Sequence, residues 1–142
     1  MLKHLKILIV DDDSSILEVL TTYLASKGFS VEGRPSAREG LTALLDNDFD
    51  LVLSDISMAG LDGFEFLKLV RASHPAIGII LMTAYDEQYP LSEALRAGAD
   101  GYITKPFNLQ KFSLIFEQVY WSALSRQDCW EQHNMPAGNC GA

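Results

Sequence analysis

Cysteine is absent from this chain until Cys129, and the only other one is Cys140. A body without cysteine is not stapled by disulfides, which fits a reducing, cytoplasmic setting. No apolar run approaches the ~20 residues that a bilayer span requires. The opening MLKHLKILIVDDD turns acidic before any long apolar stretch, so it does not read as a secretory signal. Positive charge is scarce: 11 Lys and Arg stand against 19 Asp and Glu, for a formal net charge of −8. No Lys/Arg cluster offsets this, so a basic nucleic-acid surface is not expected, and neither is a membrane partner. Cys129, His133 and Cys140 are scattered and lack a paired C-x-x-C, too little for a zinc site.

What the 142 residues do hold is enough apolar material, 48%, for the core of one domain. Short apolar runs alternate with amphipathic stretches. ILIV (Ile7–Val10), FSVEG (Phe29–Gly33), DLVLSD (Asp50–Asp55), IGIILMT (Ile77–Thr83) and GYIT (Gly101–Thr104) read as strands. Between them lie helical patterns. The first opens at Ser14 or Ser15, with Ser15 and Glu18 as a capping box, and ends at Gly28; the second opens on a Ser36/Glu39 box. The third is capped by Asp62 with Glu65, the fourth is Leu91–Ala99, and the fifth opens at Asn108 and carries Phe112, Phe116, Val119, Tyr120 and Ala123 on one face.

Strict alternation of five strands and five helices predicts an α/β fold, a doubly wound parallel sheet in the common order 2-1-3-4-5. Ligands of such sheets bind beyond the carboxyl ends of the strands. Those ends carry Asp11, Asp12 and Asp13, then Asp55, Thr83 and Lys105. If the first and third strands are neighbours, Asp11, Asp12 and Asp55 converge. Three carboxylates in one pocket suit a hard divalent cation with oxygen ligands, and open water positions favour Mg2+ over calcium. A cation, a lysine and a hydroxyl together make a site for a phosphoryl group.

The ordered set ILIVDDD, DISMAGLDGFE, LMTAYD and GYITKPF resembles the receiver domain of two-component response regulators, with its flavodoxin-like fold, over roughly Lys6 to Ala123. The resemblance implies a phosphorylation-dependent signalling switch in which Asp55 accepts a phosphoryl group from a phosphohistidine on a histidine kinase or phosphotransfer protein. It implies that Asp11, Asp12, Asp55 and the backbone carbonyl of Ser57 hold Mg2+. Lys105 pairs with Asp55 and then with the phosphoryl group, Thr83 bonds another phosphoryl oxygen, and Tyr102 is the aromatic switch. Ser57 and Tyr85 flank the path of the hydrolytic water. A cis Lys105–Pro106 bond is also implied. The signal would appear on the surface of the fourth helix, fifth strand and fifth helix, where a homodimer or effector would dock.

Two departures stand out: Ala59 replaces the family's usual proline, and Pro90 falls where the fourth helix normally begins, so that helix is expected to start late. Two alternatives are an aspartate-nucleophile phosphatase, which carries its nucleophile in the D-x-D after the first strand, and a receiver-like module that is never phosphorylated. The first lacks the second acidic pair at the fourth strand end; the second would have lost Asp55, Thr83 or Lys105. Residues 1–124 are expected to form the receiver domain, with 125–142 as a flexible tail. Leu114 and Trp121, seven residues apart and off the apolar stripe, are expected either to be partly buried or to form a partner surface.

Overall fold

The structure, a computed structural model, describes residues 5–56, 63–84, 96 and 98–133, with the side chains of 63, 64, 84, 124 and 126–133 left undescribed. Five parallel strands form one sheet: β1 (Lys6–Val10), β2 (Ser30–Arg34), β3 (Leu51–Asp55), β4 (Gly78–Ala84) and β5 (Gly101–Lys105), in the order β2-β1-β3-β4-β5. Four helices are seen among the described residues: α1 (Ser14–Ser26), α2 (Ala37–Asp46), α3 (Gly63–Ser73) and α4 (Leu109–His133). The expected Leu91–Ala99 helix, with Pro90 before it, lies outside the described residues apart from Arg96 and residues 98 and 99.

The inner strands β1, β3 and β4 are apolar along most of their length because both sheet faces are covered there, whereas the edge strands β2 and β5 are only partly buried. Side chains alternate between faces along each strand. Ile7, Ile9, Leu51, Leu53, Ile80, Met82 and Ile103 therefore join one core with α1 and α4. Leu8, Val10, Val52, Ile79 and Leu81 join a second core with α2 and α3. On the first face, Phe112, Phe116 and Tyr120 of α4 form a ring ladder, at 5.9 and 6.3 Å between centroids. Glycine at the start of β4 and of β5 brings α4 close. A Cβ on Gly101 would lie 2.7 Å from Val119, and one on Gly78 would run into Leu51.

The helix ends partly follow the expected signals. Ser36 caps α2, accepting from the Glu39 amide at 3.2 Å. Gly28 follows α1 with φ +94°, a conformation that glycine adopts without a Cβ penalty. The cap of α1 is different from the expected one. Asp13 is the N-cap, its carboxylate accepting from the amides of Ser15 and Ile16 at 2.9 and 3.4 Å. Ser15 lies inside the helix, so the Ser15/Glu18 box does not form. The last helix also differs. It passes the expected boundary at residue 124 and runs on to His133. No glycine or proline stands between Asn108 and Pro136, so nothing in the covalent chain stops it. At 25 residues α4 is about 37 Å long, twice the length of a five-residue strand.

Arg71 of α3 fixes the entry to β5. Its guanidinium donates to the carbonyls of Pro75, Ile77 and Gly98 and to the carboxylate of Asp100, which also accepts from the Ile79 amide. No helix among the described residues is long and apolar enough to cross a membrane.

Candidate functional site at the carboxyl edge of the sheet

The chain leaves β1 toward β2 on one side and later enters β3 on the other, so the crevice between β1 and β3 is the topological switch point. Val10 stands opposite Ser54 in the register, which places Asp11 and Asp55 at neighbouring strand ends. Asp11 is fully buried and Asp55 nearly so, whereas Asp12 is exposed. One carboxylate oxygen from each of these three lies within 4.8 Å of the others.

Lys105 ends β5 two strands away, and its side chain reaches back to this cluster. Its ammonium donates to Asp11 Oδ2 at 2.7 Å and to Asp55 Oδ2 at 3.1 Å. Burial alone would lower its pKa. The hydrogen bond to Asp11 and the charges of Asp11 and Asp55 outweigh that, so the ammonium is held above its ordinary value. The Lys105–Pro106 peptide bond is cis. Asp11 uses its other oxygen, Oδ1, to accept from the Asp13 amide at 2.9 Å. That bond turns the backbone sharply after β1 and sets Asp13 in its capping position.

Thr83 is buried on β4, one position beyond Met82, the register partner of Asp55. By strand alternation it shares the face of Ile79 and Leu81, the second core. Tyr102 of β5 is half-buried and packs against that same core. The structure thus brings Asp11, Asp12, Asp55 and Lys105 into one cluster and sets Thr83 and Tyr102 on one sheet face. Ser57, Ala59 and Tyr85 lie outside the described residues. The capping role of Asp13 and the Arg71–Asp100 clamp were missed in the sequence. Asp is as good an N-cap as Ser, so the first had a signal; the second had none, because it joins residues far apart in the chain.

The donor set suits Mg2+: three carboxylates of graded burial, with no histidine or cysteine among them. The negative charge of Asp11 and Asp55 is met by the Lys105 ammonium, which forms an ion pair with each.

The sequence profile of the response regulator receiver domain matches residues 7–117. The transcriptional regulatory protein RprY of Bacteroides fragilis is 37% identical over 117 residues, covering 82% of this chain and 50% of that protein. The regulatory protein AtoC of Escherichia coli is 40% identical over 114 residues, covering 80% of this chain and 25% of that protein. Among solved structures, a CheY-like receiver domain protein from Methanospirillum hungatei superimposes with a TM-score of 0.78 at 32% identity, covering 89% of this chain and 98% of that one. This chain belongs to the response regulator receiver domain family. Receiver domains are phosphorylation-dependent switches that work with histidine kinases, and Mg2+ in an acidic pocket is typical of them. The chain spans half or less of the length of these two curated relatives.

Proposed function

We propose that Asp55 is the phosphoacceptor of this receiver domain. The observation that carries the reading is the Asp55 carboxylate, nearly buried at the end of β3, with the Lys105 ammonium 3.1 Å away and Asp11 and Asp12 beside it. A carboxylate oxygen of Asp55 attacks phosphorus, the P–N bond to the donor imidazole breaks, and the imidazole leaves. Asp11, Asp12, Asp55 and the Ser57 carbonyl would hold Mg2+, which neutralises phosphoryl charge when bound. Lys105 supplies a fixed cation to the transferred group, and Thr83 a hydroxyl donor. Tyr102 shares the Thr83 face and would report the change to the surface of β5 and the neighbouring helices. The phosphatase reading would put the nucleophile after β1. Asp11 has one oxygen on the Asp13 amide and the other on Lys105, which ties it down for ligation and positioning.

The chain's own chemistry is then limited to taking and losing this phosphoryl group. Its setting is the cytoplasm, its donor a histidine kinase or phosphotransfer protein, and the acidic balance gives it no nucleic-acid surface of its own. Acetyl phosphate with Mg2+ should add one phosphate to the wild type and none to Asp55→Asn, read by intact mass. Label on Asp11 would overturn the assignment. In the same samples, Tyr85 would cover the phosphoryl group and Ser57 offers no amide to orient water. Tyr85→Glu with Ser57→Asn should therefore shorten phosphate retention roughly tenfold once the donor is removed.

A further inference from the structure

Two turns of the same kind follow one another after β1. In the first, the Asp13 amide donates to Asp11 Oδ1 at 2.9 Å. In the second, the Ser15 amide donates to Asp13 Oδ1 at 2.9 Å, and the Ile16 amide to the same oxygen at 3.4 Å. Each turn is an aspartate carboxylate accepting from the amide two residues on. The two ends of this tandem are anchored to different elements. The Asp11 amide donates to the Arg34 carbonyl of β2 at 3.1 Å, and the Asp13 carbonyl accepts from the Leu17 amide of α1 at 3.1 Å. Asp12 is the link between them. It is exposed, so packing does not hold its carboxylate, yet one of its oxygens lies within 4.8 Å of oxygens of Asp11 and Asp55.

We propose that Asp13 is a positioning residue for the cation pocket: its cap on α1 fixes the peptide that carries Asp12 and the amide that orients Asp11. This role rests on the reading that Asp11 and Asp12 hold Mg2+. Asp11 Oδ2 is held by Lys105, whose flexible stem can follow the carboxylate as it turns. The Asp13 amide is backbone, and the cap keeps that residue extended, at φ −87° and ψ 107°. Without the cap the first turn of α1 frays. Asp11 then loses the donor that sets its rotation, and the Asp12 carboxylate spreads over positions that do not meet Asp55. A cation that needs all three oxygens at once must restore that order itself, which weakens its binding. The Asp13 carboxylate is occupied by the amides of α1, so it acts through its neighbours and not as a ligand.

Asp13→Asn and Asp13→Ala remove the same charge, but of the two only asparagine caps a helix well. Mg2+ titrations of the full chain, followed by amide shifts at Asp12 and Asp55, should give Asp13→Ala an affinity about fivefold below that of Asp13→Asn. Asp13→Ser, another good cap, should match the asparagine variant. A cap that serves only the fold would lower the urea midpoint of Asp13→Ala and leave the Mg2+ affinity of the folded protein at the asparagine value, which would overturn the proposal. Equal affinities of all three variants, below the wild type, would show that Asp13 acts by its charge, and would overturn it too. Asp12→Asn is titrated beside them. If it binds Mg2+ as tightly as the wild type, the assignment of the pocket fails and the positioning role with it. If it binds weakly while Asp13→Ala matches Asp13→Asn, the positioning role fails alone.

Discussion

Asp11, Asp12 and Asp13 are adjacent and chemically alike, yet the fold gives each a different surrounding. Asp11 is buried and bonded to Lys105, Asp12 is exposed, and Asp13 caps α1. The run therefore serves a pocket and a helix at once. Lys105 is the residue on which this arrangement depends. Removing its ammonium takes away the cation that bonds the buried Asp11 carboxylate and Asp55 together. Breaking a buried pair from one side leaves the other charge under-compensated, although Asp11 keeps the Asp13 amide. Lys105→Met should thus lower the stability of the metal-free protein by about 3 kcal/mol. Mg2+ should then restore more stability to this variant than it adds to the wild type, because the cation takes over the missing charge. Urea unfolding with and without Mg2+ reads both effects. Equal loss with and without the ion would mean that Lys105 acts by packing.

At the scale of elements, the strands were legible because their apolar runs are continuous and bounded by turn residues, and they end within a residue of where they were read. Four strand-end residues could be placed for the same reason. The helix ends were less legible. Two neighbouring capping signals, Asp13 and Ser15, competed at α1, and the hydrogen bond from the Asp13 amide to Asp11 decided between them. At α4 the apolar stripe fades near Ala123, which lies against Gly78 at the start of β4, while the helix itself runs on to His133. The Arg71 clamp is invisible in the sequence because its partners come from the α3–β4 connection and the segment before β5. Arg71→Ala removes a fork that satisfies three carbonyls and Asp100. The expected cost is about 2 kcal/mol. Arg71→Lys should recover little of it, since one ammonium cannot span the same acceptors. Denaturant midpoints of the two variants decide this, and a lysine variant as stable as the wild type would show that charge alone suffices.

At the scale of the whole molecule, the sheet separates two packed compartments. One core lies under α1 and α4, the other under α2 and α3. The β1–β3 crevice with Asp11 and Asp55 sits at the edge where both are within reach, but Thr83 and Tyr102 face only the second. Close-packed side chains pass displacement to the atoms they touch, so a change that starts at Thr83 should spread through Leu81 and Tyr102 before it crosses the sheet. Amide hydrogen exchange should therefore change on phosphorylation in β4, β5 and their neighbours on that face. The α1/α4 face should keep its exchange rates. Thr83→Ala keeps Asp55 and Lys105, so it should still take up phosphate while showing a smaller exchange response at Tyr102. An equal response on both faces, or an undiminished one in the Thr83 variant, would mean that the signal leaves the site through the β1–β3 crevice and not through the fourth strand.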